Sequence, residues 1–388
     1  MTQDHVIMVA SQYPPVYGGA GQQAQLLATR LVRNGLRVTV ATLDQQSVRS
    51  KIEDGVSVRR YLKGIKPDGP LTRALTTTLL GVSAFFLTLI HGPTAVHIHG
   101  AYWWSILPAV AGRLRGSRVV VKVTRDGEDD PNTVFGRRIR GIPVGSIYGL
   151  SFRLATDVIF LSDESYARGR VRGLESTARR VNNGVDSEVY YRSEARNVKS
   201  RQLFNVPQER AVVLFVGYLV QHKGVIDLLD AWDLVRVSAD AELWLVGPYG
   251  DFYRELDRAT GERIRSSHLD YSKNIKLFGA LPNKELPLIY CAADVFVLPS
   301  YREGMPNSMA EAMMSGCSIV GTRIPGIVDL VRSSHDTKLV DPGDVPALAK
   351  AMLSALAHPT QSTPHELQAI DIDSVAATYR DIYRGASQ

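Results

Sequence analysis

Val295-Phe296-Val297-Leu298-Pro299-Ser300 runs toward Glu303-Gly304-Met305-Pro306-Asn307-Ser308-Met309-Ala310-Glu311, and Ala312-Met313 carries the pattern on to Gly316. Val295–Leu298 make the unbroken apolar run of a buried strand, and Pro299-Ser300 leads out of it. Gly304-Met305-Pro306 marks a turn, and the remainder reads as a helix closed by Gly316. A strand feeding a helix through a short loop is the repeating unit of a parallel α/β sheet. The start of such a helix offers unpaired N–H groups and the positive end of a dipole, which suits an anion such as a diphosphate. Glu303 lies in the loop and Glu311 on the helix, where a carboxylate can accept hydrogen bonds from sugar or ribose hydroxyls. Two acids alone would read as solvated surface; the string around them is far more specific.

The same grammar recurs on both sides of this stretch. Val6–Ala10 reads as a strand, Tyr17-Gly18-Gly19-Ala20-Gly21 as a glycine-rich turn, Gln22–Asn34 as a helix closed by Gly35, and Leu36–Thr42 as the next strand. This βαβ order predicts a doubly wound parallel sheet. Further strands are expected at 56–61, 95–99, 118–123 and 157–161. A second set is expected at 211–216, 241–247, 275–279, 295–299 and 318–322, after a polar stretch near 187–200 that reads as a linker. At 388 residues, two α/β halves are the natural division. The expected domains are residues 1–190, 191–370 and a terminal helical segment 371–388.

Hydrophobic residues make up 45% and charged residues 22%, as in a soluble globular protein. Two cysteines cannot build a disulfide framework, so Cys291 and Cys317 read as buried small residues in a reducing compartment. Residues 1–190 hold 24 Lys/Arg against 15 Asp/Glu, whereas the whole chain is only +6. A basic first half suggests an anionic partner there, set against the plainer reading of a solvated basic surface. The apolar stretch 74–90 is short and Thr-rich, and reads as a buried or interfacial helix. No secretory leader is legible at Val6–Ala10, because Ser11-Gln12-Tyr13-Pro14-Pro15 follows at once.

The strings Leu298-Pro299-Ser300, Glu303-Gly304-x-Pro306 and Glu311-Ala312-Met313-x-x-Gly316 resemble the nucleotide-sugar site of retaining glycosyltransferases of family 4. Gly18-Gly19-Ala20-Gly21, Asn183-Gly184-Val185-Asp186 and Gly217-Tyr218-Leu219-Val220-Gln221-His222-Lys223-Gly224 resemble other segments of that family, in the same order. The resemblance implies a GT-B fold, two Rossmann-like doubly wound domains facing across a cleft, with the terminal helix packing back on the first. It implies that Glu311 meets the donor ribose, that Lys223 meets the diphosphate, and that Glu303 lies by the donor sugar. The backbone of Gly304, Met305, Pro306, Asn307 and Ser308 would surround sugar and phosphate. Gly19, Gly217, Tyr218, Gly247 and Gly279 would complete the donor site, His99, Thr124 and Arg125 would lie on the acceptor side, and Glu303, Lys223 and Asp126 are the candidate catalytic groups. No metal or other cofactor is implied.

Two positions depart from the family pattern. Tyr218 stands where an Arg is usual, which removes one cation from the diphosphate side, and Thr124 stands where a His is usual near the reaction centre. The donor implied is a nucleotide-diphosphate sugar, with UDP-sugars favoured over GDP-sugars, and the acceptor a glycan or lipid-linked hydroxyl in surface polysaccharide or glycolipid assembly. The basic first domain leaves room for peripheral contact with an anionic membrane from the cytoplasmic side, and no nucleic-acid partner is expected. The rival readings are a nucleotide-sugar epimerase of the same fold and a non-catalytic nucleotide-sugar binder. A dehydrogenase fits less well, because Gly18-Gly19-Ala20-Gly21 is not Gly-x-Gly-x-x-Gly.

Overall fold

The computed structural model describes residues 3–15, 18–44, 50–62, 69–125, 127–249, 258–270, 274–332, 337–360 and 362–386. The chain forms two compact units, Met1–Gly184 with Ile372–Gln388, and Val185–Asp371.

The first unit is built on eight strands in the order Ala178–Arg180, Asp157–Phe160, Arg118–Lys122, Ala95–His99, His5–Ala10, Arg37–Leu43, Val56–Tyr61 and Lys51–Glu53. All neighbours run parallel except the last pair. A parallel sheet is covered on both faces, and its strands read as continuous apolar runs. Accordingly, every residue of His5–Ala10 and Ala95–His99 is buried. Alternate side chains go to opposite faces. Val6, Met8 and Ala10 join the helices Gly19–Arg33 and Ile372–Arg384, while Ile7 and Val9 pack with Leu80, Ala84 and Leu87 of the helix Pro70–His91. Gly81 lets that last helix come close, since a Cβ there would lie 2.7 Å from the Trp104 carbonyl oxygen. The helix Ile372–Arg384 buries Tyr379 and Tyr383 in this unit.

The second unit holds six parallel strands in the order Ile275–Gly279, Ala241–Val246, Ala211–Val216, Val295–Leu298, Ser318–Thr322 and Lys338–Val340. From Ala211–Val216 the chain adds two strands on one side, then returns and adds three on the other. The reversal therefore falls between Ala211–Val216 and Val295–Leu298. Cys291 and Cys317 are both buried, and the Cys317 thiol donates to the Tyr290 carbonyl oxygen.

The polar stretch near 187–200 is not a linker. The first unit ends at Gly184, and Val185 already pairs with Asp371 in the second. Ser193 caps the helix Glu194–Leu203, accepting from the Arg196 N–H. This helix is anchored by Arg201, 2% exposed, whose guanidinium reaches the carbonyl oxygens of Ala292 at 2.9 Å and Pro207 at 3.2 Å, and the Asp294 carboxylate at 3.2 Å. An arginine as core anchor leaves no apolar periodicity to read. Removing it takes a donor from the carbonyls of Ala292, Pro207 and Arg210, while Asp294 keeps Arg192 and the Val212 N–H, and leaving buried acceptors unsatisfied costs about 1–3 kcal/mol. Arg201→Ala is expected to lower unfolding stability by that order, measured as a shift of the urea midpoint. A change below about 1 kcal/mol would show that the anchor is dispensable.

Candidate active site

In an open α/β sheet, ligands bind beyond the carboxyl ends of the strands, where the strand order reverses. At that edge of the second unit, glycine brings backbones together. A Cβ on Gly247 would lie 1.7 Å from the Gly217 carbonyl oxygen, and one on Gly224 would lie 2.0 Å from that of Pro299. Gly224 is left-handed at φ +70°, so it turns the chain into the helix Val225–Val235 while touching the end of Val295–Leu298. That contact sets Lys223 beside Glu303, with Nζ 2.6 Å from Oε1. The Ser300 hydroxyl donates to the same oxygen at 2.7 Å, and the Tyr301 N–H donates to the His222 carbonyl oxygen at 2.9 Å.

Beyond Glu303 the chain is pressed from behind. A Cβ on Gly326 would lie 2.4 Å from the Gly304 carbonyl oxygen, whereas one on Gly304 itself would meet nothing within 4 Å. Met305 and Pro306 are buried, and Pro306 precedes the helix Asn307–Met314, with Asn307 and Ser308 half-buried in its first turn. Glu311 lies one turn in. It accepts from the Tyr290 hydroxyl at 2.9 Å and is also bonded by Tyr190. Burial pushes its carboxyl up to about 7, against the opposing pull of those two hydroxyls. Gly279 ends its strand at φ +68°, and its carbonyl accepts from the Gly247 N–H. Tyr218, half-buried, follows Gly217. The structure thus gathers Gly217, Tyr218, Lys223, Gly247, Gly279, Glu303–Ser308 and Glu311 in one unit, at or beside one edge of its sheet.

In the first unit the order reverses between His5–Ala10 and Ala95–His99. Gly19 is exposed in the first turn of the helix Gly19–Arg33, and Gly21 allows close approach to Gln12, whose carbonyl oxygen would be 2.9 Å from a Cβ. Thr124 and Arg125 follow Arg118–Lys122, and both are held by Asp129. Its carboxylate accepts from the Thr124 N–H and hydroxyl at 2.9 Å each, from the Arg125 N–H at 2.7 Å and from the Ala101 N–H at 3.3 Å. Asp129 is fully buried, and that burial raises its carboxyl to about 6. The Arg125 guanidinium meets the Glu128 carboxylate at 3.3 Å. Asp126 lies outside the described residues.

His99 points inward. It is 6% exposed, stacks on His97 with ring centroids 4.3 Å apart, and neither of its ring nitrogens has a partner among the described residues. Burial and the neighbouring Lys122 push it down to about 3, so it is neutral. His97 accepts from or donates to the Tyr383 hydroxyl at 2.7 Å. Lys122 is itself buried, pushed down to about 7, and its Nζ reaches the Asn183 amide oxygen at 2.7 Å. The Gln23 amide grips the next residue, donating to the Gly184 carbonyl and accepting its N–H, both at 3.0 Å.

Two family models match this chain, one described as "Glycosyl transferase 4-like domain" over residues 18–184 and one as "Glycosyl transferases group 1" over residues 210–358. The chain belongs to the family-4 glycosyltransferases. It is 26% identical over 270 residues to a 2-deoxystreptamine glucosyltransferase of Streptomyces kanamyceticus, covering 68% of each chain. In fold it is similar to a sucrose-phosphate synthase from Thermosynechococcus elongatus (TM-score 0.76, 20% identity, 99% of each chain). It is also similar to Anabaena HepE in complex with UDP and glucose (TM-score 0.72, 18% identity, 99% of this chain and 100% of that one). The fold is GT-B, two α/β units each with a parallel sheet.

Asp129, Lys122 and the tyrosines on Glu311 escaped the sequence reading of this glycosyltransferase. The one legible signal was Asp129-Asp130-Pro131 after a strand, and it reads first as a helix start; Asp130 does cap Pro131–Phe135. The raised carboxyl of Glu311 has a consequence for stability. An unfolded glutamate loses its proton near 4.3, whereas the folded one keeps it until about 7. Between those values the folded state binds more protons, so this group's contribution falls as pH rises through the window. Relative to the wild type, Glu311→Gln is expected to gain on the order of 3 kcal/mol of stability between pH 4 and pH 8. Parallel stability–pH curves for the two proteins would refute the raised value.

Proposed function

We propose that this glycosyltransferase takes its sugar from a nucleotide-diphosphate donor, a UDP-sugar first and a GDP-sugar second, and transfers it with retention to a hydroxyl of a glycan or lipid-linked glycan. The observation that supports this most is the Lys223–Glu303 pair at the point of strand reversal, followed by an open Gly304 and a helix start. In such a transfer the bond from the anomeric carbon to the diphosphate oxygen breaks, and negative charge grows on the leaving diphosphate. The Lys223 ammonium stabilises that charge where it develops. Glu303, held by Lys223 and Ser300, turns its carboxylate toward the donor sugar. Glu311 accepts from the ribose, and the backbone from Gly304 to Ser308 encloses sugar and phosphate. The acceptor oxygen bonds to the anomeric carbon on the face the diphosphate leaves, and its proton passes to the departing diphosphate oxygen. Lys223 supplies positive charge at the diphosphate, so this reading calls for no metal.

The test is a thermal-shift and donor-hydrolysis screen against uridine, guanosine and adenosine diphosphate sugars. Stabilisation by one donor with slow release of its nucleotide is expected. No response to any donor would mean that Tyr218 and Thr124 mark a site without turnover, and the reading would fall. With the donor known, and above pH 7 where Glu311 is ionised, Glu311→Ala is expected to weaken nucleotide binding by about 1.5–3 kcal/mol, since a hydrogen bond to a charged group is lost. Lys223→Ala is expected to lower kcat by more than it weakens nucleoside binding, because the charge it meets is largest in the transition state. Equal losses in both measurements would contradict that role.

A further inference from the structure

The helix Pro70–His91 carries apolar side chains on its outer face as well as on its core face. Its core face buries Thr76, Thr77, Leu80, Gly81, Ala84, Leu87 and Thr88. Two of the threonine hydroxyls there bond to their own helix, Thr76 to the Thr72 carbonyl and Thr77 to that of Arg73, each at 2.8 Å. The opposite face carries Leu71, Leu75, Leu79, Phe86 and Ile90, between 37% and 86% exposed. With half-buried Val82 between them, these recur in steps of three and four residues, one continuous stripe along a helix roughly 33 Å long. A helix on a soluble surface puts polar residues on that face.

The stripe continues sideways into a basic, aromatic surface. Trp103 Nε1 donates to the exposed Thr78 hydroxyl at 3.1 Å, the Trp103 ring meets Tyr148 at 6.2 Å, and the Arg137 guanidinium lies 5.2 Å from the Tyr148 ring. The hairpin Arg138–Ile139 with Ile142–Pro143 follows, with Ile139, Ile142 and neighbouring Ile147 exposed. Among the described residues Arg73, Arg137, Arg138 and Arg140 pair with no carboxylate. Leu, Ile and Phe beside Trp, Tyr and unpaired Arg is the composition of a surface that lies in a lipid headgroup region.

We propose that this face, the outer stripe of Pro70–His91 together with the Arg138–Pro143 hairpin, docks on an anionic lipid bilayer. Charge complementarity favours that occupant over a second copy of the chain. A two-fold interface would lay the same patch on itself and oppose Arg138 and Arg140 with like charge. The helix is long and apolar enough to span, with a mean hydropathy of 1.6. It lies in the plane instead, because Gly81 is locked against Trp104 and Leu80, Ala84 and Leu87 belong to the sheet's core. The proposal stands apart from the donor reading and is tested apart from it.

The experiment is co-sedimentation of the full chain with phosphatidylcholine vesicles, with and without phosphatidylglycerol, over a series of salt concentrations. Binding only to the anionic vesicles, weakening as salt rises, is expected. Arg138→Ser with Arg140→Ser is expected to weaken it roughly thirtyfold, from the contribution of two basic residues near a charged surface. Leu75→Ser with Phe86→Ser is expected to abolish it, while both variants keep the wild-type melting temperature and donor response. Failure to sediment at low salt would overturn the proposal, and so would equal binding to both vesicles. A concentration-dependent dimer in sedimentation velocity that Leu75→Ser with Phe86→Ser dissolves would overturn it in favour of a self-interface.

Discussion

The strand Ala211–Val216 has a parallel neighbour on each side, and the chain leaves it first in one direction and then in the other. Two loops that would otherwise stand apart are thereby forced to part side by side. No Cβ fits at Gly224, against the Pro299 carbonyl, or at Gly247, against that of Gly217. Lys223 and Glu303, eighty residues apart in the chain, are then neighbours with no freedom to be otherwise. The ion pair is a product of the backbone's crowding rather than its cause. Ser300 adds a second donor to the carboxylate without adding charge.

The first unit meets the same topological demand with buried polar groups. Asp129 ties the ends of two adjacent strands by gathering N–H groups from Ala101, Thr124 and Arg125. Lys122 and Gln23 hold Asn183 and Gly184, the last residues before the chain enters the second unit. A lysine without a carboxylate and a histidine without partners are expensive to bury, and their protonation shifts are the visible sign of that cost. The price is accepted at the edge of the sheet where the chain must be held in place, and not in the apolar layers beneath.

Much of this was legible in the residues. Each long parallel strand is an apolar run bounded by a glycine, a proline or a polar turn, so its ends can be read from the residues to within one or two positions. The loop from Glu303 to Glu311 and the turn at Lys223 could be read because glycine and proline leave few conformations for a chain to choose. What could not be read depends on partners distant in the sequence. The three-residue edge strands Lys51–Glu53, Ala178–Arg180 and Lys338–Val340 lack a pattern long enough to register. Arg201 looks like surface until Asp294 and the Ala292 carbonyl are brought to it. Asp129 looks like one of several loop acids until three backbone N–H groups converge on it. Tyr290 reads as an ordinary core aromatic, and only the fold brings its hydroxyl to Glu311.

The helix Ile372–Arg384 belongs to the first unit, yet all of residues 185–371 separate it from the rest of that unit. On a ribosome, chains emerge in order and domains tend to fold as they appear. The first sheet therefore emerges with one face short of Tyr379, Tyr383, Val375 and Ile382, and stays so while the second unit is made. His97, which bonds the Tyr383 hydroxyl in the finished protein, lacks that partner until the helix has been made. The second unit, continuous in sequence, can close first. Vectorial synthesis thus inverts the order of completion, and the half of the enzyme that is begun first is finished last.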